Sequence, residues 1–331
     1  MRTLTATATP ESPGDVDLGG EARARQADRG FRALVTLAGL TVLIVLGLIL
    51  VTTSVRGWPA FRHEGLLGFV LGTRWAPNDA VFGTFPLLYG TLVTSLIAMI
   101  IAVPVSIGIA LFITEVAHRN TRKYIVTVID LLATVPSVVF GLVGVLVVVP
   151  AITPAYQWIA DVVAPIPGLN AIFNETNTGR NYITASLILA IMAIPIITSI
   201  AREVFATVPE TDKQAAYALG ATRWEMVKGA ILPHSFGGLV GASMLGLGRA
   251  MGETIAVALV IGGSVSMAAN LFEPGNTMAA LIAQQWGESS GLHTDALIAI
   301  GVELFAITVI INFLARLVVR RAEIKMKGAH S

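Results

Sequence analysis

Long uncharged stretches alternate with short charged ones along this chain, and the uncharged stretches are long enough to cross a membrane. A transmembrane helix needs about 20 mostly apolar residues. Ala33–Val55 is the first such run, and a second lies between Asp79 and Glu115 with no charge inside it. Between Lys123 and Asp161 the only charge is Asp130, which leaves room for a third. The fourth lies between Arg180 and Arg202. The fifth runs from Lys228 to Glu273 and carries only Arg249 and Glu253. The sixth lies between Asp295 and Arg316 and carries only Glu303. The pattern predicts an all-α integral membrane protein, with six transmembrane helices over residues 31–321. Residues 1–30 are rich in Thr, Pro, Gly and acid and read as a disordered tail. They lack the basic start, short apolar core and small-residue site of a signal peptide. Residues 322–331 form a second, short tail.

Basic residues orient the spans. The N-terminal tail, the connection after the second run, the connection after the fourth run and the C-terminal tail hold most of the 22 lysines and arginines. The other side holds Arg56, Arg62, Arg74 and Arg180. Loops rich in Lys and Arg stay inside, so both termini are expected in the cytoplasm of a multi-pass cell-membrane protein.

Composition then removes whole classes of function. Hydrophobic residues make up 54% and charged residues 13%, about half the usual charged share of a soluble chain. Mean hydropathy is +0.75. A soluble enzyme, a disordered protein and a nucleic-acid binder with a basic patch are all excluded. There is no cysteine, so no disulfide and no thiolate metal site. No phosphate-binding G-x-x-x-x-G-K-[ST] loop is present, so the chain cannot hydrolyse ATP itself. None of the five histidines lies deep in a span, and no HExxH or GxSxG occurs, which argues against a membrane enzyme. Trp58, Phe61 and Trp75 flank prolines in an outer loop; they read as interfacial anchors or as a docking point for an external partner.

The longest inner loop, residues 203–228, carries two helix-start signals. Thr211 with Gln214, and Thr222 with Glu225, have capping-box spacing. Gly220 stands where a helix would end in a left-handed residue. A short helix over Thr211–Leu219, a turn and a second helix follow. Ala215, Ala216 and Ala218 give the first helix a small-residue surface. A plain re-entry turn would show the same capping signals; the alanines and the glycine favour a surface built for another protein.

Charge within a span costs about 2.5–3.5 kcal/mol, which makes Arg249 and Glu253 candidates for function. Four residues apart on one helix, they can pair with each other. Alternatively, the guanidinium fork meets an oxyanion. Arg249 lies roughly 22 Å along the helix from His234. Gly237/Gly241, Ala242/Gly246 and Gly248/Gly252 are small residues at four-residue spacing, which serves close helix packing or lines a path. Thr134 and Ser137 bracket Pro136; their hydroxyls can donate to a passing anion or bond the carbonyl that the proline frees. Asp130 is in reach of Lys123 or Arg122. Glu303 is expected beside a water-filled cavity.

Gln214-Ala215-Ala216, then Gly220, then Leu232-Pro233 resembles the signature loop of ABC importer permeases, whose six-helix fold is of the MetI-like type. Gln214 stands where the family carries glutamate, and Ala230 where isoleucine is usual. GLGRAMGET followed by AVALVIGG, with Asp130–Leu142 and with Pro195 ahead of Arg202-Glu203, is similar to the first permease subunit of phosphate-specific importers. The likeness covers Leu87 to Arg320. It implies a coupling helix seated in a cleft of the ATPase, involving Thr211, Gln214, Ala215, Ala216 and Gly220. It implies phosphate movement past Arg249 and Glu253, to which Ser137 and Thr134 are added from the sequence. The partners implied are a sister permease, two copies of a cytoplasmic ATPase that holds ATP and Mg, and an external phosphate-binding protein, with lipid around the spans and no nucleic acid. No cofactor is expected on this chain. Sulfate or molybdate as cargo, or a proton-driven transporter using Glu253 or Glu303, remain the alternatives.

Overall fold

The computed structural model describes residues 18–175 and 178–328. Among these, six helices are long and apolar enough to cross a membrane: Asp28–Glu64, Phe85–Val116, Ser137–Val163, Tyr182–Ala206, Arg223–Met251 and Leu292–Leu317. Each expected run overlaps one of them. The chain divides into two units, Met1–Thr52 and Thr53–Ser331.

The first unit carries most of helix α1 (Leu18–Glu64). Leu34, Leu37, Leu43 and Leu46 are all exposed, and a helix apolar all round suits a hydrocarbon surrounding. The helix begins at Leu18, ahead of the tail boundary near residue 30; residues 1–17, the rest of that expected tail, lie outside the described residues.

In the second unit, the end of α1 leads to α2 (Leu66–Leu71) and a two-stranded ribbon, β1 (Trp75–Ala76) and β2 (Val81–Phe82), with Trp75 opposite Phe82. Then come α3 (Phe85–Leu111), α4 (Arg119–Thr134), α5 (Ser137–Val143), α6 (Val149–Val163), α7 (Leu169–Ile172) and α8 (Tyr182–Ala206). The loop helices are α9 (Glu210–Ala218) and α10 (Arg223–Met226). The chain ends with α11 (Leu232–Met251), α12 (Ile255–Val260), α13 (Met278–Gln285) and α14 (Leu292–Gly328). Most of the expected C-terminal tail therefore continues the last helix; residues 329–331 lie outside the described residues. Wide π-helical turns continue α3 (Phe112–Val116), join α5 to α6 (Gly144–Val148) and join α10 to α11 (Val227–Ile231).

Helix α8 is central. In its most apolar window 61% is buried, against 33% or less in the other spans. It packs along α3 and α11 through small side chains, Ala98 and Ala102 on α3, Ala185 and Ala193 on α8, and Ala242 on α11. Small residues let backbones approach where lipid gives helices no hydrophobic reason to associate.

Two smaller clusters close the ends. At one end Phe69, Trp75, Phe82 and Leu87 pack on Met278, Leu297 and Ile300. Trp75 is inside this cluster, and its indole N–H donates to Gln285 Oε1 at 3.0 Å, so it is not an anchor; Trp58 and Phe61 lie on α1 rather than in a loop. Trp58 remains exposed. Glu303 is also in this region. It is 6% exposed, and its Oε2 accepts from the Thr84 hydroxyl at 2.7 Å. Tight burial beside Thr84 replaces the expected water-filled cavity. At the other end Ala110, Ala201, Phe205, Met226, Val227 and Ile231 form the third cluster, with Ala216 of α9 against it.

The third span begins at Ser137, after a break at Val135–Pro136. Proline at the start of α5 disfavours a helical conformation at Val135. Asp130 is thus on α4, outside the span, with Arg202 Nη2 at 4.0 Å as its basic neighbour rather than Lys123 or Arg122.

Candidate functional site

The loop between the fourth and fifth spans folds as two short helices set at an angle by Gly220. Helix α9 starts at Glu210 behind Pro209, with no side-chain cap. Thr211 is inside the first turn and does not cap, so the first expected capping box is absent. Glu210 and Asp212 instead meet the positive end of the helix. The second box is present. The Thr222 N–H donates to Glu225 Oε2 at 2.7 Å, and the Thr222 hydroxyl oxygen accepts from the Glu225 N–H at 3.4 Å. Gly220 has φ 81°. Its N–H bonds the Tyr217 carbonyl at 2.9 Å, and the Ala221 N–H bonds the Ala216 carbonyl at 3.1 Å. That pair of bonds is the Schellman ending.

One face of α9 rests on the protein. Ala216 packs on the end cluster, and Lys213 Nζ lies 2.9 Å from Glu115 Oε1 and 3.2 Å from Glu210 Oε1. Burial works against the Lys213 charge, but its hydrogen bonds to Glu115 and Glu210 outweigh it and hold the ammonium pKa above its ordinary value. The other face is open. Gln214, Ala215, Tyr217 and Ala218 are exposed, Leu219 is 89% exposed, and Trp224 of α10 is 65% exposed. Exposed large apolar side chains grouped at one place mark an interaction surface. The alanines of this surface are legible in the sequence; Leu219 and Trp224, apolar residues beside a turn, carry no periodic signal.

The fifth span is a broken helix. Helix α11 stops at Met251, where the Gly252 N–H bonds the Gly248 carbonyl at 3.2 Å, and α12 restarts at Ile255. Glycine is a poor helix former, and Glu and Thr around a break readily serve the next helix start. Irregular backbone at membrane depth persists only where protein or a cavity satisfies it. The break removes the ion pair that four-residue spacing on one helix would allow. Arg249 and Glu253 are not on one helix and make no ion pair with each other among the described residues. Each charge meets a helix end instead. Arg249 sits in the last turn of α11, at its negative pole. Glu253 is buried ahead of α12, and its Oε1 accepts from the Ala256 N–H at 3.4 Å.

Arg249 opens onto a cleft of about 1060 Å³ between α8, α11 and α14. Gly237, Gly241 and Gly248 line one wall; Asn312, Phe313 and Arg316 line another. Along α14, the lining from Val309 to Val319 covers roughly 15 Å. Asn312 and Arg316 are four residues apart on one helical face. In the sequence Arg316 marks only the end of the sixth run, and Asn312 is an amide in an otherwise apolar run that was not singled out. Neither Arg249 nor Arg316 has an acidic partner among the described residues.

The glycines divide by role. Gly241 and Gly248 have nothing within 4 Å of an added Cβ. An added Cβ on Gly246 would lie 2.6 Å from Ile197 Cδ1. Gly246→Val should therefore overpack the contact with α8, at about 1–3 kcal/mol, and lower membrane abundance; Gly241→Val should leave abundance unchanged. Immunoblots of membranes at equal expression check this. Thr134 and Ser137 stand apart: neither lines the cleft, and the Thr134 hydroxyl donates to the Leu131 carbonyl at 2.7 Å.

Residues 102–324 match the family of the binding-protein-dependent transport system inner membrane component. The chain is 42% identical over 322 residues to the phosphate transport system permease protein PstC of Xylella fastidiosa (strain 9a5c), covering 96% of this chain and 98% of that one. It is 38% identical over 302 residues to PstC 2 of Mycobacterium tuberculosis (strain ATCC 25618 / H37Rv), covering 88% and 92%. A crystal structure of a bacterial ABC transporter involved in the import of the acidic polysaccharide alginate matches with TM-score 0.56 at 17% identity, over 90% of this chain and 99% of that one, which bears on the fold alone. A multi-pass membrane protein with this fold and these relatives belongs to the binding-protein-dependent transport system inner membrane component family, and within it to the PstC permeases.

Proposed function

We propose that this chain is the permease subunit of an ATP-driven importer of inorganic phosphate. Both termini face the cytoplasm, in keeping with the arginines and lysines of the tails and of the α9–α10 loop. A sister permease completes the transmembrane path. Two copies of a cytoplasmic ATPase hold ATP and Mg and dock on Gln214, Ala215, Leu219 and Trp224. An external phosphate-binding protein delivers the cargo. Transport runs by alternating access: ATP binding closes the ATPase pair, α9 moves with it, and the cleft changes the side to which it opens.

One observation carries the anion reading. Arg249, in the last turn of the helix long and apolar enough for the fifth span, lines a cleft and has no carboxylate partner among the described residues. Arginine keeps its charge in proteins, so the cleft offers a fork of N–H donors to an oxyanion. Arg316 and Asn312 extend the polar lining along α14. A contact of this kind is transient, because a tightly held anion would be released slowly. Glu253 shapes the break beyond Arg249 by bonding α12.

Uptake of labelled phosphate tests the proposal, in cells without their own phosphate permease that carry this chain with its partners. Uptake should need ATP and resist excess sulfate and molybdate. Competition by either would change the cargo. Dependence on the proton gradient alone would reject an ATP-driven permease.

A further inference from the structure

We propose that Lys213 and Glu115 form a strut that carries the movement of α9 into the second span. The inference rests on reading α9 as the ATPase-docking helix. Lys213 and Glu115 are 98 residues apart in the chain, yet Nζ and Oε1 are 2.9 Å apart with side chains only 13% and 11% exposed. Among the described residues this is the one hydrogen bond from an α9 side chain to a span. The remaining support of α9 is the apolar contact of Ala216, which is non-directional and tolerates sliding. A part-buried charge pair resists it more, because separation leaves two partly desolvated charges without a partner.

The two ends of the strut are suitably placed. Lys213 is one turn from Ala216 on the supported face of α9, so a partner on Gln214, Ala215 and Leu219 leaves it untouched. Glu115 is carried by the π-helical turn Phe112–Val116, in which the Ala117 N–H bonds the Phe112 carbonyl. A π turn shifts the side chains that follow it around the helix, and such turns often mark functional positions. That turn continues α3, which packs along the central α8. Force on α9 therefore reaches the α3–α8 pair directly, as well as α11 through the chain. Glu210, which also contacts Lys213, is 74% exposed on α9 itself and adds no link to a span.

The test uses the complete complex in liposomes, with phosphate moved per ATP hydrolysed as the readout. Lys213→Met and Glu115→Gln should each keep the ATPase bound and hydrolysing while that ratio falls about tenfold. Lys213→Arg should keep the ratio. The chain has no cysteine of its own, so Lys213→Cys with Glu115→Cys adds a unique thiol pair. Before treatment this double variant should behave like Lys213→Met, and a short bifunctional thiol cross-linker should restore the ratio. An unchanged ratio in the single variants, a parallel loss of hydrolysis and uptake, failure of all variants to accumulate, or no gain on cross-linking would each overturn the strut. Leu219→Glu is the separate control for docking. If it keeps the ATPase bound, the docking reading fails, whatever the strut variants do.

Discussion

Arg249→Ala is expected to lower phosphate uptake by about 10–100-fold at unchanged membrane abundance. A hydrogen bond to a charged group contributes about 1.5–3 kcal/mol, and each 1.4 kcal/mol is a factor of about ten. The side chain faces the cleft rather than the packed core, so its removal opens no cavity and should not unfold the chain. If anything, removing a charge from membrane depth favours insertion. Arg249→Lys is expected to retain part of the activity, since lysine keeps the charge and loses the planar fork. Equal uptake by all three forms would make Arg249 a structural residue.

Gly220→Pro is expected to separate ATP hydrolysis from transport. The native φ of 81° is open to glycine, whereas proline fixes φ near −65° and lacks the N–H that bonds the Tyr217 carbonyl. The Schellman ending is lost, and the angle between α9 and α10 with it. The turn separates the exposed side chains of Leu219 and Trp224 and fixes how α9 and α10 present them. Leu219→Glu acts on the same surface without touching the turn. Central apolar contacts of interfaces cost 2 kcal/mol or more when lost, so the ATPase recovered with the purified permease should fall by about tenfold or more. Both proteins should still reach the membrane, because Gly220 and Leu219 are exposed and outside the core clusters. Full uptake by Gly220→Pro would remove the coupling role of α9.

The spans were legible because lipid demands long uncharged runs, and that demand is written residue by residue. The loop helices were legible in part. Thr222 and Glu225 act locally and form the box their spacing implies. Thr211 has the same spacing, but Pro209 and the acidic first turn start α9 one residue earlier. What failed was tertiary or depended on a single break. Continuous hydropathy across Gly252 hid the end of α11 and so left open a pairing of Arg249 with Glu253 that the two separate helices do not make. Trp75 resembled an anchor because nothing in the sequence shows that α13 brings Gln285 to its indole. Glu115 and Lys213 carry no local signal at all.

The most direct measurement of the central claim is phosphate accumulated per ATP hydrolysed, in liposomes that hold the full complex with its binding protein. The unchanged chain is expected to move phosphate only with ATP. The Arg249→Ala complex is expected to hydrolyse ATP while moving almost none. Phosphate moved by that variant at the unchanged ratio would contradict an anion route past Arg249.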